Sequence, residues 1–269
     1  MGGFFGAVSA NDCILDVFYG TDYHSHLGTR RGGMTSYSAE LGFQRNIHSI
    51  ENSPFRTKFE KDVEKMRGNI CIGCISDTDP QPIMVRSKLG LYAVCSIGII
   101  QNAKALSEEL LESGCANFET MSSGNINSGG LIGALIAQKS SFVEGIRYAQ
   151  EKIEGTMSLV IMTENSIICA RDKAGKLPIL IGKRADGYCF SFESFAYQKL
   201  GYETCHELKA GEITRLTKDG YDVLYEGTDS MKICTFLWTY YGYPTACYEG
   251  VNVEVMRTKN GEIMAENDM

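Results

Sequence analysis

The widest chemical reach in this 269-residue chain lies in its ten cysteines and four histidines. Cys71 and Cys74 form one C-x-x-C, a spacing used by redox dithiols and by half of a zinc site. A structural zinc needs a second pair or histidines at ligand spacing. His24, His26, His48 and His206 supply no such cluster near it. Most of the cysteines sit in apolar runs, as Cys169 does between Ile168 and Ala170, and free cysteine there behaves as a small buried hydrophobe. Core packing is the favoured reading, with no metal and no cofactor expected. The other candidate is the glycine-rich stretch from His24 to Met34, which holds the adjacent Arg30 and Arg31. Backbone N–H groups and guanidinium forks of this kind can hold an anion. A surface turn with solvated charge is the other reading, and spacing alone favours the turn.

Composition limits what these residues can serve. The net charge is -7 and the pI near 5.2, which disfavours a nucleic-acid surface. No window approaches eighteen consecutive apolar residues, the length of a membrane span. The N-terminus has neither a basic region nor a long apolar one, so it is not a secretory signal, and a disulfide framework is not expected. A cytoplasmic location follows from these readings.

The elements that must position the candidates alternate between strand and helix. Residues 3–9 read as a buried, glycine-punctuated strand. Asn11 or Asp12 can cap a helix reaching about Leu27. Strand-like segments follow at 33–43 and 46–51, then an amphipathic helix from Phe55 to Met66. Strands are read at 68–76, 90–100, 156–163, 166–171 and 188–192. Helices are read at 102–113, 130–138 and 141–153, and a polar loop spans 119–130.

The opening Met1-Gly2-Gly3-Phe4-Phe5-Gly6 resembles the start of class II glutamine amidotransferases, which read Met-Cys-Gly-Ile-(Phe/Leu/Val)-Gly. The similarity continues through His26, Gly28 and Gly33, Gln81-Pro82, Gly98, Asn102 with Leu106, Arg171-Asp172, Glu193-Ser194 and Gly211-Glu212. The segment from Cys234 to Pro244, followed by Gly250 and Val253, resembles the amidophosphoribosyltransferase pattern just before its phosphoribosyltransferase domain. The resemblance implies an α+β fold, a four-layer αββα sandwich of the N-terminal nucleophile (Ntn) hydrolase type with two antiparallel sheets between helical layers. It divides the chain into an amidotransferase-like domain at 1–232 and a connecting segment at 233–269, with no phosphoribosyltransferase motif present.

The same resemblance assigns a substrate pocket to Gly2, His26, Ser76, Ile97, Gly98 and Ser128, and at four of these positions the residue type departs from the family. Gly2 stands at the nucleophile, Ser76 at the carboxylate clamp, Ile97 at the oxyanion donor and Ser128 at the ammonium clamp. Covalent amide hydrolysis needs a nucleophile with a base in reach, and an oxyanion donor is worth ~3–4 kcal/mol. A replacement thiol from Cys13 or Cys95 would still lack the donor. The expectation is a domain that has lost glutamine hydrolysis and serves as scaffold or regulator. Its partner would be a phosphoribosyltransferase domain or subunit, within a homo-oligomer. The alternatives are an amidohydrolase with another nucleophile or substrate, and a module binding glutamine or a related metabolite. Neither nucleic acid nor membrane is an expected partner.

Overall fold

The computed structural model describes residues 2–114, 124 and 126–268. Cys115 and the 119–123 part of the polar loop lie outside the described residues. The first strand, β1 (Gly2–Ser9), is buried along its whole length, as an apolar run covered on both faces must be. α1 (Ile14–Asp22) starts beside Asp12, whose carboxylate accepts from Ile14 N at 3.1 Å and Gly68 N at 2.8 Å. It stops short of Leu27, and a separate 3-10 turn covers Ser25–Leu27. Between them His24 is fully buried, its Nδ1 at 2.7 Å from Gly20 O.

β2 (Arg31–Ser38) and β3 (Gly42–Ser49) form a hairpin in place of the continuous strand that the sequence suggests over 33–43. The Ser38 hydroxyl accepts from Leu41 N at 3.1 Å and stabilises the turn. α2 (Phe55–Val63) stacks Phe55 on Phe59 with ring centroids 4.3 Å apart. Next come β4 (Ile70–Ser76), β5 (Ile83–Ser87), which the sequence pattern does not announce, and β6 (Gly90–Ile97). α3 (Ala103–Glu112), α4 (Ser128–Ala137) and α5 (Phe142–Lys152) follow. The rest runs β7 (Ser158–Met162), β8 (Ile167–Ala170), β9 (Leu180–Arg184), β10 (Gly187–Ser191), α6 (Ser194–Gln198) and β11 (Glu203–Glu207). It ends with β12 (Ile213–Leu216), β13 (Tyr221–Tyr225), the short pair β14 (Cys247–Tyr248) and β15 (Val251–Asn252), and α7 (Val253–Asn267).

Two antiparallel sheets result. One has the order β11-β9-β10-β1-β4-β2-β3 and the other β13-β12-β8-β7-β6-β5. β1 and β4 lie against β6 and β7 across the gap between sheets. α1 covers the outer face of the first sheet, and α4 covers that of the second. The outer core of the second sheet is built from Leu131, Leu135, Ile146 and Ile161 among others. This is the αββα sandwich that the resemblance implies.

Strand periodicity decides which side chains meet. A Cβ added at Gly3 would touch His24, and one added at Gly20 would touch Phe5, so Gly3 and Phe5 face α1. Gly2 and Phe4 therefore face the gap between the sheets. The register pairs Gly2 with Ser76 and Phe4 with Cys74, which puts Ser76 and Cys74 on that same inner face. Cys71, three residues from Cys74, faces the other way and contacts Cys13 near α1. Cys74 contacts Cys95 of the opposite sheet. The C-x-x-C is thus split between the two faces of the sheet, and burial pushes the Cys71 and Cys95 thiols well up.

Candidate functional site

The inner faces of β1, β4 and β6 end together at one mouth of the sandwich. There they enclose a cavity of about 250 Å³. Gly2, Ser76, Ile97, Gly98 and Ser128 all line it. These positions lie in four separate segments of the chain, and only the pairing of β1 with β4 and the stacking of β6 beneath them brings them together.

Each contributes differently. Gly2 is buried, and a Cβ built on it would sit 2.5 Å from the backbone oxygen of Ile75. Any side chain there has to displace β4. Ser76 spends its hydroxyl on the following turn, accepting from Thr78 N and Asp79 N at 3.2 Å each. Ile97 closes β6 with an apolar wall. Ser128 opens α4 and donates its backbone N–H to Asp79 Oδ2 at 3.1 Å. Asn127 caps the helix, its Oδ1 accepting from Gly129 N and Gly130 N.

His26 is a correction. It does not line the cavity. The 3-10 turn that carries it directs its Nε2 to Glu193 Oε2 at 2.8 Å. Glu193 is fully buried and also accepts from Tyr248 OH at 2.6 Å and Tyr243 N at 2.9 Å. Burial opposes its charge, but the hydrogen bonds from His26 and Tyr248 and the nearby His24 hold the carboxyl below its usual range. His26 therefore ties the glycine-rich stretch to the C-terminal segment. Arg30 and Arg31 stay at the surface, with Arg31 3.9 Å from Glu51.

The candidate replacement thiols are also placed. Cys13 is buried with its Sγ 3.5 Å from Ala7 O, on the α1 side of the sheet. Cys95 is fully buried against Cys74 and does not line the cavity. Neither thiol reaches the place where a nucleophile would have to stand.

Sequence reasoning names five of the fifteen lining residues, and among those it misses are Asp79, Lys176 and Cys234. Asp79 follows β4 and is 4% exposed. The resemblance looks for a carboxylate in the 119–130 loop, whereas the fold supplies one from a loop about fifty residues earlier than Ser128. Lys176 and Cys234 arrive from the loop after β8 and from the C-terminal segment, joined by Cys234 N donating to Lys176 O at 3.1 Å. Sequence spacing carries no sign of that meeting. Among the described residues, no group of three or more His, Cys, Asp or Glu could hold a metal ion. Nor is any helix among them long and apolar enough to cross a membrane.

The family profile described as "Glutamine amidotransferase domain" matches residues 66–198. The amidophosphoribosyltransferase of Archaeoglobus fulgidus is 25% identical over 259 residues, covering 93% of this chain and 55% of that protein. That of Methanocaldococcus jannaschii is 26% identical over 298 residues, covering 99% of this chain and 61% of that protein. The chain thus spans little more than half the length of these relatives. Among solved structures, the glutamine phosphoribosylpyrophosphate amidotransferase of B. subtilis, complexed with ADP and GMP, superposes with a TM-score of 0.87. It is 23% identical, and the match covers 98% of this chain and 58% of that one. Residues 66–198 thus match the glutamine amidotransferase domain family, and nearly the whole chain is similar to amidophosphoribosyltransferases in sequence and in fold.

Proposed function

We propose that this domain does not hydrolyse glutamine and acts as a scaffold or regulatory domain for a phosphoribosyltransferase domain or subunit that uses free ammonia. The observation that carries the reading is Gly2. At the position of the family's nucleophile there is no side chain, and a Cβ would meet Ile75 O at 2.5 Å. Acyl transfer needs a nucleophile aligned with a base, and neither Cys13 nor Cys95 lines the cavity. The missing donor at Ile97 removes a further transition-state contribution, worth roughly 2.7–4 kcal/mol for one oxyanion contact. Ser76 has its hydroxyl committed to Thr78 N and Asp79 N.

In this reading the partner's product is 5-phosphoribosylamine, the first committed intermediate of purine synthesis, and the setting is a cytoplasmic homo-oligomer. Residues 233–269 connect the domain to the partner. Their docking supports this: Leu237, Trp238 and Tyr248 are buried in the main core, while Tyr240 is 74% exposed.

The test is ammonia release from glutamine by the purified chain, alone and as Gly2→Cys with removal of the initiator Met verified by mass. The expected result is background ammonia from both. Release above background by the unmodified chain overturns the reading.

A further inference from the structure

We propose that the cavity binds a small zwitterion with an apolar body, an α-amino acid of the leucine type, with Asp79 taking the ammonium and Lys176 the carboxylate. The inference rests on the reading that the cavity no longer turns over glutamine. It assigns the site to residues outside the positions where the family's clamps would stand, which here are Ser76 and Ser128.

Three features of the cavity lead to this. The first is size. At about 250 Å³ it falls below the ~300–1,000 Å³ of pockets for drug-sized ligands, so the occupant is a small molecule. The second is charge. Asp79 is the one carboxylate and Lys176 the one cation among the described residues that line the cavity. They come from different loops, and neither makes an ion pair among the described residues. Asp79 is 4% exposed, and its carboxylate accepts from the backbone N–H of Ser128 at Oδ2. A carboxylate buried this far gains most from a cationic partner. An ammonium alone would meet the repulsion of Lys176, and a carboxylate alone that of Asp79. A molecule carrying both charges satisfies both groups.

The third feature is what the remaining wall can offer a side chain. Ile97, Ile99 and Leu177 are apolar. The Gln81 amide is committed to Ser96, with Nε2 donating to Ser96 O at 3.1 Å and Oε1 accepting from Ser96 N at 2.6 Å. Thr156 Oγ1 accepts from Ile99 N at 3.1 Å. A side-chain amide entering here finds the Gln81 amide already committed and gains little over water from the hydroxyls of the wall, whereas an aliphatic branch gains by burial against Ile97, Ile99 and Leu177. The cavity therefore prefers leucine to glutamine.

The experiment is calorimetric titration of the full chain with L-leucine, L-glutamine, 3-methylbutylamine and 4-methylpentanoate, with ammonia release from the glutamine sample measured in parallel. L-leucine is expected to bind saturably. The two half-ligands and L-glutamine should each bind about tenfold more weakly or worse, the scale of one lost charged or unmet polar contact. Asp79→Asn and Lys176→Met should each weaken leucine binding by about tenfold or more. Asp79 also receives the Ser128 N–H, so thermal melts accompany that variant, and Lys176→Met carries the test if Asp79→Asn fails to fold. No saturable leucine binding, leucine affinity unchanged in Lys176→Met, or glutamine binding more tightly than leucine each overturns the proposal. Ammonia release overturns the loss of hydrolysis instead, and is read separately from the binding heats.

Discussion

The cavity and the seat of the C-terminal segment contrast in where they keep their charge. The cavity holds one carboxylate and one ammonium among mostly apolar walls. The seat is crowded with buried ionic groups. Arg171 is fully buried, donating to Leu208 O at 2.5 Å and Gly175 O at 2.8 Å, and it pairs with Glu249 at 2.7 Å. The Glu207 carboxylate accepts from Glu249 N at 3.1 and 3.2 Å. Glu193 gathers Tyr243, Tyr248 and His26. Motif residues that the family shares, Arg171 and Glu193 among them, are here structural fasteners. In the proposed reading, the positions that would touch a substrate have changed type, so that the chain keeps what holds the sandwich together and replaces what would grip glutamine.

The contrast can be broken most forcefully at Arg171. Arg171→Met removes the partner of Glu249 and the donors to two carbonyls, and breaking a buried pair costs about 3–5 kcal/mol. Urea denaturation is expected to show a stability loss of that size, and a loss under about 1 kcal/mol would deny the seat its role.

Glu207 gives the next effect and a direction in pH. Burial, then the Glu249 charge, raises its carboxyl from the ordinary 4.5 to about 7. An acid raised in the folded state binds its proton more tightly there. Stability is therefore highest below the unfolded value, falls as pH climbs from 4.5 to about 7, and is level above that. The fall is on the order of 3 kcal/mol, since each tenfold change in proton affinity is worth about 1.4 kcal/mol. Denaturation midpoints across this range should show the slope, and Glu207→Gln should flatten it.

At the cavity, Gly2→Cys is expected to cost about 1–3 kcal/mol through overpacking against Ile75 O, read as a lower melting temperature. Unchanged stability would mean that β4 yields freely at that point. The smallest effect belongs to Ser76→Ala. It leaves Thr78 N and Asp79 N without the hydroxyl acceptor and should cost about 1 kcal/mol. Because those bonds shape the Asp79 loop, leucine binding should also weaken in this variant.

Much of the fold is legible along the chain. The apolar run at 3–9, the Phe55, Phe59 and Val63 stripe, and the apolar stretch before Ile97 each mark an element that the structure contains. The misses have local causes. Short β5 offers only five residues of pattern, and the inward turn of His24 ends α1 early. At the cavity, Gly2, Ser76, Ile97, Gly98 and Ser128 come together in the lining while His26 turns to Glu193, because motif position is a property of sequence and a ring's direction is not.

By itself the sequence determined the residue type at each strand end, and with it the absence of a side chain at Gly2 and of a donor at Ile97. Only the tertiary structure decided that Asp79, Lys176 and Cys234 share a cavity with them, and that Cys71 meets Cys13 while Cys74 meets Cys95 across the gap between the sheets. The physical reason is one of range. Strand period and hydrophobic pattern act between neighbours a few residues apart, whereas loops following different strands are brought together by sheet stacking, whose register no local spacing encodes.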